Sequence, residues 1–169
     1  MTVGSHQDQD ALIRIRQARP DEAEALGALG LRSKAHWGYS ADFMAACRPD
    51  FTFGPAFFER EHVIVIESGG RLCGFYSLDQ IRAATAELTN LFIDPDAIGG
   101  GYGRRLWDHA LETARSWGCT RLEVDADPNA AAFYVRMGAQ QFAESASTTW
   151  PGRKLPRLAI DLTAPPNRG

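Results

Sequence analysis

Apolar residues recur along this chain with two different periods, and the switches between them mark out its elements. Residues 12–18 alternate as a half-buried strand does. Pro20-Asp21-Glu22 then opens a helix whose early carboxylates suit its dipole and which turns Ala25, Leu26 and Leu29 towards the core. A shorter helix follows from Ser40. Residues 62–67 and 72–79 read as strands joined by Ser68-Gly69-Gly70-Arg71, a hairpin signal. The next strand, residues 85–93, carries Leu88, Leu91, Phe92 and Ile93 and ends at Asp94-Pro95-Asp96. From Arg104, the residues Leu106, Trp107, Ala110, Leu111 and Ala114 fall on one helical face until Gly118 stops it. Leu122, Val124 and Ala126 point inward from a strand over 120–126. A short helix over 129–138 has Asp127 or Asn129 as its cap and Gly138 as its stop. Two last strands, 139–149 and 155–162, flank Trp150-Pro151-Gly152-Arg153. The order β-α-α-β-β-β-α-β-α-β-β is mixed α/β, with too many consecutive strands for a purely parallel doubly wound sheet.

The stretch ELTNLFIDPDAIGGGYGRR, residues 87–105, carries the most chemistry. Gly99, Gly100, Gly101 and Gly103 remove side chains from the turn between strand and helix, so bare amides can reach an anion. A helix N-terminus adds about half a positive charge, which suits phosphate oxygens. Arg104 and Arg105 oppose the dipole of the helix they open, and a bound anion compensates both. Two other phosphate loops fail here. A dinucleotide fingerprint on Gly101 and Gly103 needs Gly or Ala at position 106, which is Leu106, and no Gly-Lys-Ser/Thr exists.

Composition narrows the classes. The chain has 169 residues, 44% of them hydrophobic, enough core for one domain over residues 11–163, with residues 1–10 and 164–169 reading as disordered. A net charge of −3 lacks the basic footprint of nonspecific nucleic-acid binding. Cys47, Cys73 and Cys119 form no CxxC, which points to reduced core thiols and against a disulfide framework or zinc site. His6, His36, His62 and His109 show no i, i+4 pairing, so no metal is expected. No apolar run approaches the roughly 20 residues of a membrane span. The start MTVGSHQDQD is unlike a signal peptide, so a cytoplasmic location is expected.

Gly101-Tyr102-Gly103, followed by Asn129, Ala132, Phe133, Tyr134 and Gly138, resembles the GNAT superfamily of N-acetyltransferases. That family's signature is Gln/Arg-x-x-Gly-x-Gly/Ala opening a helix, then Asn-x-x-Ala-x-x-Tyr near a terminal Gly-Phe. Ile98 stands where the family has Gln or Arg, which removes one pyrophosphate contact, and Ala139 replaces Phe. The resemblance implies a central, mostly antiparallel twisted sheet of about seven strands, splayed in the middle, with about four helices. It implies acetyl-CoA as cofactor, with pantetheine in the splay pairing with the backbone of Leu91, Phe92 and Ile93 as an added strand. Residues Gly99 to Arg105, Asn129, Ala132 and Phe133 complete the implied cofactor site.

The resemblance makes Tyr134 the acid that protonates the leaving thiolate; a phenol with a reference pKa near about 10 keeps its proton at neutral pH. Glu87 resembles the strand glutamate that some members use as base through water, with Glu123 and Asp125 as runners-up. The acceptor, a primary amine of a small molecule, is expected between residues 34–39 and 147–153, where Trp37, Tyr39 and Trp150 offer cation–π faces. A non-catalytic acyl-CoA sensor and an acetyltransferase for a protein N-terminus or lysine stay open as alternatives. So does assembly as a homodimer.

Overall fold

The structure, a computed structural model, describes residues 12–164. The disorder expected of residues 1–10 and of the tail after Ala164 lies outside the described residues. Seven strands form one sheet: β1 (Ile13–Gln17), β2 (His62–Ser68), β3 (Arg71–Arg82), β4 (Thr85–Ile93), β5 (Arg121–Asp125), β6 (Gln140–Ala146) and β7 (Lys154–Asp161). Their spatial order is β1-β2-β3-β4-β5-β7-β6, and only β4 and β5 run parallel. Five helices accompany them: α1 (Ala23–Ala35), α2 (Ala41–Cys47), α3 (Pro55–Arg60), α4 (Tyr102–Ser116) and α5 (Ala131–Arg136).

The additional helix, α3, is a single short run behind Pro55, too brief to show a 3.6-residue period. Three other sequence readings shift. Ala25 is exposed, while α1 buries Leu26, Gly27, Leu29 and Gly30. Helix α4 begins at Tyr102 rather than Arg104, because Gly101 takes a left-handed φ of 77° and sets the first turn. Helix α5 is capped at Ala130, with Asp127 instead accepting the Asn129 amide in the turn before it.

One irregularity makes the site. Ser77 of β3 pairs with Asn90 and Leu78 with Leu88, so Thr89 is an extra residue in β4. A bulge of one residue reverses the alternation beyond it. Leu88, Leu91 and Ile93 therefore all reach the same core, under the buried face of α4. Phe92 faces the other way, onto Phe51 and Phe75. The parallel pairing of β4 with β5 runs from Thr85↔Arg121 to Leu88↔Val124 and stops there. Beyond it β4 keeps only β3 as a neighbour, and the sheet opens.

The helical layer over Phe92 is fixed by a close approach. A Cβ on Gly30 would lie 2.5 Å from the Phe51 ring, and one on Gly27 would fall on the Phe51 carbonyl oxygen. These two glycines, one turn apart on α1, let the 3₁₀ turn Arg48–Phe51 sink against the helix and bring Phe51 onto Phe92, ring centroids 5.1 Å apart.

Candidate active site

The glycine loop has the conformation its composition implies. Gly99 and Gly101 have φ of 90° and 77°, open to glycine and strained for other residues. No side chain caps α4 and no acidic residue occupies its first turn. The unpaired amides of that turn thus face outward with the positive end of the dipole. Asp94 anchors the entry to this loop: it is buried, its Oδ1 accepts the Asp96 amide, and its Oδ2 accepts Arg32 at 2.9 Å. Burial pushes its carboxyl up, but Arg32 and the Asp96 amide outweigh that and hold it below the usual range.

Where β4 and β5 part lies a cavity of about 640 Å³. Leu91, Phe92 and Ile93 line one side, and Asn129, Ala132, Phe133 and Tyr134 the other; Gly103, Ile98 and Trp37 also reach it. Gly99, Gly100, Gly101, Tyr102, Arg104 and Arg105 lie outside this lining. Tyr134 is 5% exposed, with its ring 5.5 Å from that of Trp107. Burial, with Asp127 next, pushes its phenol well above the ordinary value. Its hydroxyl meets no acceptor among the described residues. Since no buried side-chain oxygen there lacks a partner, the hydroxyl opens into the cavity.

A compact ionic cluster centred on Asp127 forms another wall of the cavity. Asp127 Oδ2 accepts Lys34 Nζ at 3.2 Å and Arg153 Nη2 at 3.1 Å. Tyr39 Oη donates to Asp127 at 2.8 Å and accepts Asn129 Nδ2 and Arg153 Nη2, each at 2.9 Å. The Tyr39 ring stacks on Phe43 at 4.2 Å, and Lys34 and Arg153 lie over both rings. Tyr39 is thus saturated, and with Trp150, which meets Phe43 edge-on, it lines a separate shallow hollow. Of the three aromatics expected to meet the acceptor, Trp37, 49% exposed, is the one in the lining of the main cavity.

The carboxylates divide sharply. Glu123 is 2% exposed and bound by Arg82, Arg121 and Arg157, and Arg157 also holds Asp125 at 2.9 Å. Glu87 stands opposite Glu123 in the register, outside the cavity lining. Burial, with Asp125 next, pushes its carboxyl above the usual range. Sequence reasoning missed Phe51, Asp127 as the hub of the wall, and the buried Glu61. The polar residues Ser77, Thr89 and Asn90 inside apolar strands were the available signal for the last.

A family model described as the Acetyltransferase (GNAT) family matches residues 29–139. The chain belongs to the GNAT acetyltransferase family. It is 27% identical over 135 residues to a 5-NmdU N-acetyltransferase of Pseudomonas phage PaMx11, covering 79% of this chain and 91% of that one. Over 102 residues it is 34% identical to the N-alpha-acetyltransferase RimI of Mycobacterium tuberculosis, covering 54% and 64% respectively. An N-acetyltransferase structure from Rhodopseudomonas palustris superposes with a TM-score of 0.74 at 21% identity over 88% of this chain and 94% of that one. The PaiA N-acetyltransferase of Thermoplasma acidophilum, solved with coenzyme A, gives 0.73 at 16% identity over 88% and 98%. This GNAT protein is therefore an acetyl-CoA-dependent N-acetyltransferase. Its own residues fit that donor: a left-handed glycine turn with an uncapped helix start for the pyrophosphate, and an unpaired edge of β4 leading from it into the cavity. No helix among the described residues is long and apolar enough to cross a membrane.

Proposed function

We propose that this GNAT protein acetylates a primary amine on a small molecule. One observation carries the reading: Thr149 Oγ1 donates to Asp50 Oδ2 at 2.6 Å, joining the β6–β7 loop to the helical layer across the acceptor side. Both residues line the cavity. A polypeptide laid across this face would have to displace that hydrogen bond, whereas a cavity of about 640 Å³ falls within the usual range, roughly 300–1,000 Å³, for small-molecule sites.

Acetyl-CoA supplies an acetyl thioester that an amine can attack and a thiolate that must leave. Tyr134 acts as the acid: its burial holds the proton at neutral pH, and its hydroxyl opens into the cavity where that proton is needed. Asp127 keeps Lys34, Tyr39 and Arg153 fixed as one wall, so the acceptor meets a preorganised surface. Trp37 presents an exposed ring to a cationic amine. Glu87, the base that the sequence resemblance offers for the amine's proton, has a carboxyl raised by burial but lies outside the cavity lining.

The test is thiol release from acetyl-CoA with a panel of small primary amines, a 5-NmdU nucleoside and an alanine-initiated peptide. Faster turnover of the peptide than of every small amine overturns the small-molecule reading.

A further inference from the structure

Two apolar strands carry buried or half-buried polar residues: Ser77 in β3, fully buried, and Asn90 beside the bulged Thr89 in β4. A buried polar group left without a partner costs about 1–3 kcal/mol, so these side chains have to satisfy one another. Asn90 Nδ2 donates to Ser77 Oγ at 2.8 Å, Ser77 Oγ and Thr89 Oγ1 lie 2.6 Å apart, and Thr89 Oγ1 donates to Glu61 Oε2 at 2.6 Å. Thr89 has one proton and two acceptors, Glu61 Oε2 at 2.6 Å and the Ser77 carbonyl oxygen at 3.2 Å; the shorter bond to the carboxylate takes it, and Thr89 receives a proton from Ser77. The chain therefore has one direction, and it ends on Glu61.

Glu61 follows α3 at the start of β2, its side chain 4% exposed and outside the cavity lining. The charged groups facing it are Arg60, whose exposed guanidinium lies 3.4 Å away, and Glu87, whose carboxyl it helps to push up. Thr89 is exposed, and it lines the cavity. Thr89 thus stands between a buried carboxylate and the cavity, and its hydroxyl oxygen, which accepts from Ser77, has a second lone pair. Glu87 has no such connection, and Glu123 and Asp125 are held by guanidinium groups.

We propose that Thr89 is a catalytic residue of acetyl transfer, whose hydroxyl takes the proton of the acceptor amine and relays it to Glu61, the carboxylate that positions it. The N–H bond of the acceptor's ammonium breaks, and its electron pair stays on nitrogen as the attacking lone pair. The proton adds to Thr89 Oγ1 while the original O–H bond of Thr89 breaks and a new one forms at Glu61 Oε2. The hydroxyl is regenerated, and the proton on Glu61 returns to water by the reverse path after the product leaves.

The experiment measures thiol release against pH for Thr89→Val, Thr89→Ser, Glu61→Gln and Glu87→Gln. Tyramine, spermidine and an alanine-initiated tripeptide serve as acceptor probes, and slow acetyl-CoA hydrolysis, in which water loses the proton, serves as a fourth. Thr89→Val and Glu61→Gln should each lower kcat by roughly 10²-fold, the size of a general-base contribution, with coenzyme A affinity by calorimetry unchanged. Their double variant should be no slower than either, because the two act as one unit. Thr89→Ser should stay within a few-fold of wild type, and Glu87→Gln should keep the acidic limb that Glu61→Gln removes. Wild-type kcat in Thr89→Val, or loss of the acidic limb in Glu87→Gln alone, overturns the relay. If Glu61→Gln fails to fold, Thr89→Ser against Thr89→Val decides with Glu61 intact, and equal rates overturn it.

Discussion

Replacing Asp127 with asparagine tests whether the acceptor wall is one electrostatic unit. The side chains of Lys34 and Arg153 are only 13% and 15% exposed, and both point at the same Asp127 oxygen. In Asp127→Asn a neutral amide separates two cations that share no other carboxylate contact among the described residues. Breaking a buried pair from one side costs about 3–5 kcal/mol. Here the loss is smaller, because both cations line the cavity and regain water there, and the amide oxygen still accepts from Tyr39. A loss of about 2–3 kcal/mol follows, which for a chain of this length lowers Tm by roughly 5–10 °C. Urea denaturation and thermal melts read both. The pH dependence supplies a control. Burial pushes the Asp127 carboxyl up, but the Asn129 amide, Tyr39 and Lys34 outweigh it and hold the group below its usual range. Its contribution is therefore complete above the unfolded value of about 3.9 and disappears as pH falls through the lowered folded value. A difference below about 0.5 kcal/mol at neutral pH, the level of an ordinary surface change, refutes the reasoning. So does a difference that fails to narrow in acid.

Tyr134→Phe should lower turnover by roughly 10²-fold and leave the KM for acetyl-CoA nearly unchanged, since the proton is needed only as the thiolate departs; near-native turnover removes Tyr134 from the mechanism. Gly101→Val places a β-branched residue at a φ of 77° and should abolish coenzyme A binding by calorimetry while the fold persists. Gly103→Ala is its counterpart: the added Cβ meets the Phe133 ring at 3.4 Å, and binding should survive within a few-fold. Trp37→Ala should raise the acceptor KM several-fold with acetyl-CoA binding intact. Trp150→Ala, whose ring packs on Phe43 outside the main cavity, should instead appear in the melting temperature.

The sheet was legible because its strands alternate or run apolar between strong turn signals. Residues 85–93 were read with the boundaries the structure has, since Asp94-Pro95 ends β4 chemically as well as geometrically. Helix α4 was legible from a broad apolar stripe, whereas α3 had one and a half turns in which to show a period and did not. Ala25 was misassigned because the close packing of α1 is made by Gly27 and Gly30, residues with no side chain to signal burial.

The acceptor site was less legible because it is written in pairings across long stretches of chain. Asp127 meets Lys34 and Tyr39 only after α1 and the β5–α5 turn converge on the opened sheet, and no local spacing announces that. Residues 87–93 do hold one local sign. Leu88, Leu91 and Ile93 cannot share a face in a regular strand, because Leu88 and Leu91 are of opposite parity. One residue between them has to be bulged out, and a polar one can occupy that place if hydroxyl and carboxylate partners receive it. Thr89 is received by Ser77 and Glu61. The bulge that puts Leu91 and Ile93 into the core thus lies where the pairing with β5 ends and brings Thr89 into the cavity lining. An insertion or deletion at Thr89 should disturb core packing, sheet opening and catalysis together, whereas Thr89→Val should keep the sheet opening, lower catalysis and lose the stability that its hydrogen bonds to Ser77 and Glu61 contribute.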